Sequence, residues 1–329
     1  HTAYRRQRQM CIRDSSETIM HLLAKRLKNE DFITALSNVM TQITGSYSMV
    51  FMADNKLIAM RDPHGVRPLA MGMMKDGYVF VSETVALDLI DAHFVREVEP
   101  GEMVVVDASG VKSYFPNGKV ENPAPCVFEH VYFARPDSFM FGQSVYEVRK
   151  GFGKMLAKEC PVDADIVIPV PDSGITATIG YSEESKIPFE LGIIRNHYVG
   201  RTFIEPSQNI RDFGVRVKLN PVRNLIKGKK IVVVDDSIVR GTTSKKIVKL
   251  LRDAGAKEIH MRISAPPTSY PCYYGIDTPT KKELISNTHT EDEIRRFIGA
   301  DTLGYISLEG MKKVLIDNNF CFACFTGQY

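Results

Sequence analysis

No stretch of the chain is uniformly apolar over the roughly 20 residues that a membrane-spanning helix requires, so a membrane anchor is not expected. There is also no basic tract. The formal net charge of +3 comes from charges spread along all 329 residues, without the clustered Lys and Arg of a nucleic-acid-binding arm. No internal repeat or low-complexity segment interrupts the chain, and its start carries neither an apolar signal core nor a cleavage site. These absences exclude the nucleic-acid, membrane and secreted classes and point to the cytoplasm. Hydrophobic residues at 44% and charged residues at 25% suit two ordinary globular domains.

Cysteine is sparse, at six residues, and all but Cys11 lie beyond the first third. Two of them, Cys321 and Cys324, form a Cys-x-x-Cys pair, which fits a metal or cluster site in a reducing compartment better than a secreted disulfide framework. Cys272 and Cys126 could complete a set of four ligands. Spacing alone leaves zinc, an iron–sulfur cluster and plain buried cysteines all open.

His1 to Ser15 has neither an initiator Met nor apolar periodicity and is expected to be a non-native scar. From Ser16 a helical face carries Ile19, Leu22, Leu23 and Leu27, and a second helix is predicted from Asp31 to Ile43. Strands follow at Ser46–Ala53, Lys56–Arg61, Leu69–Met74, Tyr78–Ser82 and Glu102–Val106, the pattern of an α+β domain over residues 16–122. The Pro-rich segment Asn122 to Pro125 reads as a linker. Beyond it, over 123–329, strands and helices alternate as in a parallel α/β domain. The predicted strands are Asp165–Pro169, Phe189–Ile194, Lys230–Val234 and Glu258–Ser264, and the helices Tyr146–Lys158, Ile175–Ser185 and Ser244–Ala254.

The densest chemical signal is the run from Ile231 to Thr243. An apolar strand delivers Asp235 and Asp236 at its end, and Ser237, Val239, Arg240 and Gly241 lead to Thr242 and Thr243 at a helix start. Carboxylates there can accept hydrogen bonds from vicinal ribose hydroxyls, while the helix N-terminus offers backbone N–H groups to a phosphate. The bland reading, a strand end and a helix cap, does not account for the whole run. No lysine stands where a nucleoside triphosphatase loop needs one. A second turn, Asp172-Ser173-Gly174, also follows an apolar strand and opens a helix.

The first run resembles the phosphoribosyl-diphosphate signature of type I phosphoribosyltransferases, and the second resembles their pyrophosphate loop. By that resemblance Ser173, Asp235 and Asp236 would hold Mg²⁺. The stretch Asn196 to Ile204, continuing through Gln208, Arg211 and Arg216, looks like a loop that closes over substrate and brings Lys218 near the diphosphate. Gly45 to Ser48, Arg61 to Leu69 and Ser82 to Asp88 resemble the later part of an N-terminal-nucleophile glutaminase domain. Together these motifs identify the chain as similar to amidophosphoribosyltransferases of the iron–sulfur subtype.

That resemblance implies formation of phosphoribosylamine from phosphoribosyl diphosphate and glutamine-derived ammonia, releasing pyrophosphate and glutamate, at the first committed step of purine biosynthesis. Positioning and charge neutralisation would carry the reaction, since no dedicated general base is evident. It also implies a 4Fe–4S cluster on Cys126, Cys272, Cys321 and Cys324, feedback inhibition by purine nucleotides, and a homotetramer. Cys160 matches no ligand position and is read as packing. Cys11 runs almost directly into the first helix, without the glutamine-binding loops of the family, so the chain is expected to be a fragment, shortened at both ends, without its glutaminase nucleophile. Two other readings are weaker. A base-specific phosphoribosyltransferase does not account for the front domain and the cysteines, and a phosphoribosyl-diphosphate-sensing regulator would carry a DNA-binding module that is not visible.

Overall fold

The computed structural model describes residues 17–196, 219–276, 278, 280–317 and 319–329. The chain divides into two compact units, His1–Pro125 and Cys126–Tyr329.

The first unit begins with helix α1 over residues 17–26 and α2, Phe32–Met40. Asp31 starts α2 because its carboxylate accepts the N–H groups of Ile33 and Thr34 at 3.0 and 3.2 Å, satisfying donors that have no partner inside the helix. Ala35, Leu36, Val39 and Met40 form its buried face. Seven antiparallel strands follow: β1 Ser48–Ala53, β2 Lys56–Arg61, β3 Ala70–Met74, β4 Gly77–Val81, β5 His93–Glu97, β6 Met103–Asp107 and β7 Gly110–Tyr114. They make two sheets, ordered β1-β2-β6-β7 and β4-β3-β5.

Strand alternation explains the layering. Ile58, Met60, Met103 and Val105 face the helices and pack with Leu36, Val39 and Met40. Ala59 and Val104 face the opposite way and pack with Leu69, Met71 and Val98 of the second sheet. The result is a helix–sheet–sheet sandwich. Strand β1 lies at a sheet edge, with Met52 84% exposed.

The second unit opens with a small hairpin of β8, Phe139–Met140, and β9, Gln143–Ser144. Helix α3 spans Val145–Glu159, capped by Ser144. Strand β10, Ile166–Pro169, leads to α4, Ile175–Ser185. A short antiparallel pair, β11 Ile193–Arg195 and β12 Leu219–Pro221, precedes β13, Lys230–Asp235. Helix α5, Thr242–Asp253, then β14, Glu258–Ile263, α6, Glu291–Ile298, and β15, Thr302–Tyr305, follow. Strands β10-β13-β14-β15 form a parallel sheet in that order. Ile231, Val232, Val233 and Val234 are completely buried, as expected for a central parallel strand covered on both faces.

The predicted strand Phe189–Ile194 is only partly present. Phe189 makes a single parallel bridge to Val167, whereas Ile193 pairs antiparallel with Pro221, outside the parallel sheet. Exposed Leu191 and buried Gly192 separate the two pieces. A side chain at Gly192 would meet Ile168 Cγ2 at 2.7 Å, so the chain passes too close to β10 for an ordinary strand residue. Strands β5, β7 and β15 were not anticipated; β5 and β7 are largely exposed and lack a strong apolar alternation.

Candidate active site

Two turns meet at the carboxyl edge of the parallel sheet because β10 and β13 are neighbours, with Pro169 paired to Val234. One hydrogen bond extends the pairing into the first turn: Val170 N–H donates to Val234 O at 2.9 Å. Gly174, which opens α4, is pressed against the same carbonyl. A Cβ on Gly174 would lie 2.4 Å from Val234 O, so only glycine allows the approach. The Pro171–Asp172 peptide is cis. Asp172 is exposed and paired with Arg195 at the end of β11. Sequence reasoning missed Arg195; its only signal is a cation directly after an apolar run.

Strand β13 carries its own charge problem. Asp235 and Asp236 are only 6% and 7% exposed. The Asp235 carboxylate accepts the Asp236 N–H at 2.9 Å, and Ser237 Oγ donates to Asp236 at 2.6 Å. Burial, reinforced by the charge of Asp236, pushes the Asp235 carboxyl well above the usual carboxylate range. A cation or sugar hydroxyls at this edge would relieve that cost.

Helices α4 and α5 begin at Gly174 and Gly241, and neither cap residue supplies a side-chain hydrogen bond. The first N–H groups of α5 are therefore available to an anion, whereas at α4 Gly174 N–H already donates to Val170 O at 2.9 Å and Ile175 N–H to Asp172 O at 3.3 Å. Gly241 has φ +70°, and a side chain there would meet Ile285 Cδ1 at 3.0 Å. Thr242 and Thr243 are exposed at the helix start. Arg240 pairs with Glu283 at 3.3 Å, and Val239 O accepts Ile285 N–H at 3.0 Å, holding the turn from outside. Thus Asp172, Ser173 and Gly174 lie at the same sheet edge as Asp235 to Thr243. Lys218 and the segment 197–218, along with His1–Ser15 and Cys11, lie outside the described residues.

The four cysteines named from the sequence also converge. Cys126 forms a parallel bridge with Cys321, and Cys321 O accepts Val127 N–H at 3.4 Å. Cys324 O accepts the N–H groups of Ser269 and Tyr270 at 3.0 and 3.1 Å, bringing in the segment of Cys272. Burial raises the Cys324 thiol far above its ordinary range, and Cys126, Cys321 and Cys272 add to the rise. Cys160 stands apart, its sulfur 3.5 Å from Tyr305 O and packed against Gly304, which agrees with a packing role.

Among the described residues no three His, Cys, Asp or Glu side chains are gathered so as to hold one metal ion by themselves. None of the described helices is long and apolar enough to cross a membrane.

In the first unit, the Arg61 to Leu69 motif serves a structural end. Arg61 is buried and donates to the carbonyls of Arg67, Val98 and Gly65 at 2.8, 2.7 and 2.8 Å. Asp62 accepts N–H groups of Tyr47, His64 and Val66, yet burial still raises its carboxyl.

Comparison with known proteins tests these readings. A glutamine amidotransferase domain model matches residues 3–89, starting inside the segment set aside as a scar, and a phosphoribosyl transferase domain model matches residues 152–288. An amidophosphoribosyltransferase of Methanocaldococcus jannaschii is 51% identical over 95% of this chain and 70% of its own length. The chain belongs to the amidophosphoribosyltransferases. The Bacillus subtilis amidophosphoribosyltransferase is 49% identical, covering 95% of this chain and 67% of that protein. Amidophosphoribosyltransferase 1, chloroplastic, of Arabidopsis thaliana is 56% identical over 95% of this chain but only 56% of its own length. The chain thus spans little more than half of that plant relative. The solved B. subtilis glutamine phosphoribosylpyrophosphate amidotransferase, complexed with ADP and GMP, superimposes with a TM-score of 0.89, covering 95% of this chain and 70% of that one. The amidophosphoribosyltransferase fold anticipated from the motifs is therefore present: a parallel-sheet phosphoribosyltransferase domain preceded by glutaminase-type α+β structure.

Proposed function

We propose that this chain binds phosphoribosyl diphosphate at the Asp235–Thr243 and Asp172–Gly174 turns and transfers its phosphoribosyl group to ammonia, forming phosphoribosylamine and pyrophosphate. This would be the first committed step of purine biosynthesis, with glutamine as the nitrogen source of the whole enzyme. The observation that carries the reading is the union of two helix N-termini and a buried carboxylate pair at one sheet edge, tied by the Val170–Val234 hydrogen bond.

The residues divide the work by chemistry. The N–H groups at the start of α5, with Thr242 and Thr243, suit the 5-phosphate, while Asp235 and Asp236 suit the ribose hydroxyls. Ser173, Asp235 and Asp236 would hold Mg²⁺, which supplies neutralisation of the departing diphosphate charge. The turn at Ser173 and Gly174 orients the diphosphate, and Arg195 holds Asp172 beside it. Ammonia then attacks C1 of a sugar with oxocarbenium character, so accurate positioning replaces a covalent nucleophile. Lys218 belongs to the same reading as a loop cation drawn toward the diphosphate.

The same proposal assigns a 4Fe–4S cluster to Cys126, Cys272, Cys321 and Cys324, whose convergence fits four separate iron ligands. It includes purine-nucleotide inhibition, in keeping with the ADP and GMP of the B. subtilis structure, a homotetramer, and the reducing cytoplasm that free thiols require.

Anaerobic purification followed by iron, acid-labile sulfide and Mg²⁺-dependent pyrophosphate release tests the proposal. Four irons and turnover with ammonia are expected. Absence of pyrophosphate release with every amine donor would overturn the transferase reading, and zinc in place of iron would overturn the cluster. Turnover with glutamine would assign the nucleophile to Cys11.

A further inference from the structure

The segment carrying Cys272 is laced to the C-terminal turn by more than its thiol. Helical residues Ala323–Thr326 end at Gly327, whose φ is +75°. A side chain at Gly327 would meet Tyr270 Cε1 at 2.8 Å, so the chain lies directly on that ring. Two residues later, the Tyr329 ring packs 4.7 Å from Tyr273 and 6.0 Å from Tyr274, centre to centre. Its hydroxyl donates to Pro271 O. Cys272 sits inside this lacing: its N–H donates to Thr278 Oγ1 at 2.7 Å, and Tyr274 N–H points to its sulfur at 3.3 Å.

The outer face of the arrangement is aromatic. Tyr273 is 71% exposed and Tyr329 47% exposed, whereas Cys126 is buried and Cys324 half-buried. Two broad rings, one anchored through its hydroxyl on the residue before Cys272, flank that thiol and present an apolar body to it while tolerating solvent on the other side. An aliphatic residue would leave the carbonyl of Pro271 unpaired, and a charged one would bring water with it.

We propose that Tyr329, together with Tyr273, forms an aromatic lid over the Cys272 flank of the four-cysteine centre and governs how fast small oxidants and chelators reach it. The inference rests on the iron–sulfur reading given above. Tyr329 acts as a positioning residue: it touches neither substrate nor the transferred group.

The test uses the anaerobically purified full chain and its Tyr329→Phe and Tyr329→Ala variants. Loss of visible cluster absorbance is followed after mixing with air-saturated buffer and, separately, with a ferrous chelator. With equal starting iron, Tyr329→Ala is expected to bleach about tenfold faster, and Tyr329→Phe, which keeps the ring but loses the anchor on Pro271, at an intermediate rate. Thermal midpoints measured alongside separate a lid from general loosening, because a lid changes the bleaching rate at an unchanged midpoint. Bleaching of Tyr329→Ala at the wild-type rate would overturn the proposal. If that variant does not fold, Tyr273→Ala opens the same face and decides in the same way. If the wild-type chain holds no iron, the cluster reading falls by itself, and the lid is judged from the rate at which a disulfide reagent modifies the thiols. Equal rates in wild type and variant would then sink the lid as well.

Discussion

At Asp235 a single carboxyl sets fold stability against function. Its folded-state affinity for a proton is raised, so the unfolded chain ionises first as pH rises past about 4. Stability of the ligand-free chain should therefore fall with pH from that point until the folded carboxyl has ionised too. Asp235→Asn keeps an acceptor for the Asp236 N–H but removes the titration. The variant should melt higher than wild type near neutral pH in calorimetry, while Mg²⁺-dependent pyrophosphate release drops by roughly 100-fold or more. His130 shows the opposite sign. Its ring is fully buried, lies against Phe141 and Phe320, and has no hydrogen-bond partner for either nitrogen among the described residues. Burial, and secondarily Arg149, pull its pKa down to about 4. The unfolded chain takes up a proton near 6.5 and the folded chain only near 4, so stability is lost as pH falls through that window. The loss should reach about 3 kcal/mol below pH 4. Denaturant titrations at pH 7 and pH 5 should show the decline, and His130→Phe should flatten it. Asp235, Asp236, Ser173 and Gly174 were legible in the sequence because each ends an apolar run with turn chemistry. Arg195, His130 and Tyr329 were not, since their partners Asp172, Arg149 and Pro271 come from other elements.

Among the elements, helices α3 and α4 pack most intimately, for a reason visible in two glycines. A Cβ on Gly153 would fall 1.8 Å from Ala177 O, and one on Gly180 would fall 1.9 Å from Lys150 O. The two backbones touch, and α4 is the helix whose N-terminus faces the proposed diphosphate. Gly180→Ala should force the helices apart, costing about 1–3 kcal/mol by chemical denaturation despite the better helix propensity of alanine. It should also raise the KM for phosphoribosyl diphosphate by displacing the Ser173 turn. Elements with strong patterns were read closely: β2 and α4 carry the bounds expected of them. Strand β15 was missed because Thr302–Tyr305 is short and holds Gly304 in its middle. The 189–194 run was misassigned because its composition is strand-like while its path is set by crowding at Gly192.

For the whole molecule, the change of texture at the proline-rich segment predicts a boundary after Asn122, and the compact units part between Pro125 and Cys126. How the cysteines meet was not legible, because Cys126 and Cys321 pair across nearly the full length of the second unit. That pairing makes the unit a clasped ring rather than an open string, since its first residue is fastened beside its last helical turn. The cluster proposed for these cysteines would close a loop of this length, worth roughly 5 kcal/mol by chain entropy. Iron chelation should therefore do more than empty a site. It frees both ends at once, and limited carboxypeptidase digestion should run inward past Cys321 in chelated protein while stopping short of it in the intact form. A processive protease pulling on the C-terminal side of this unit would meet the clasp before it met the parallel sheet.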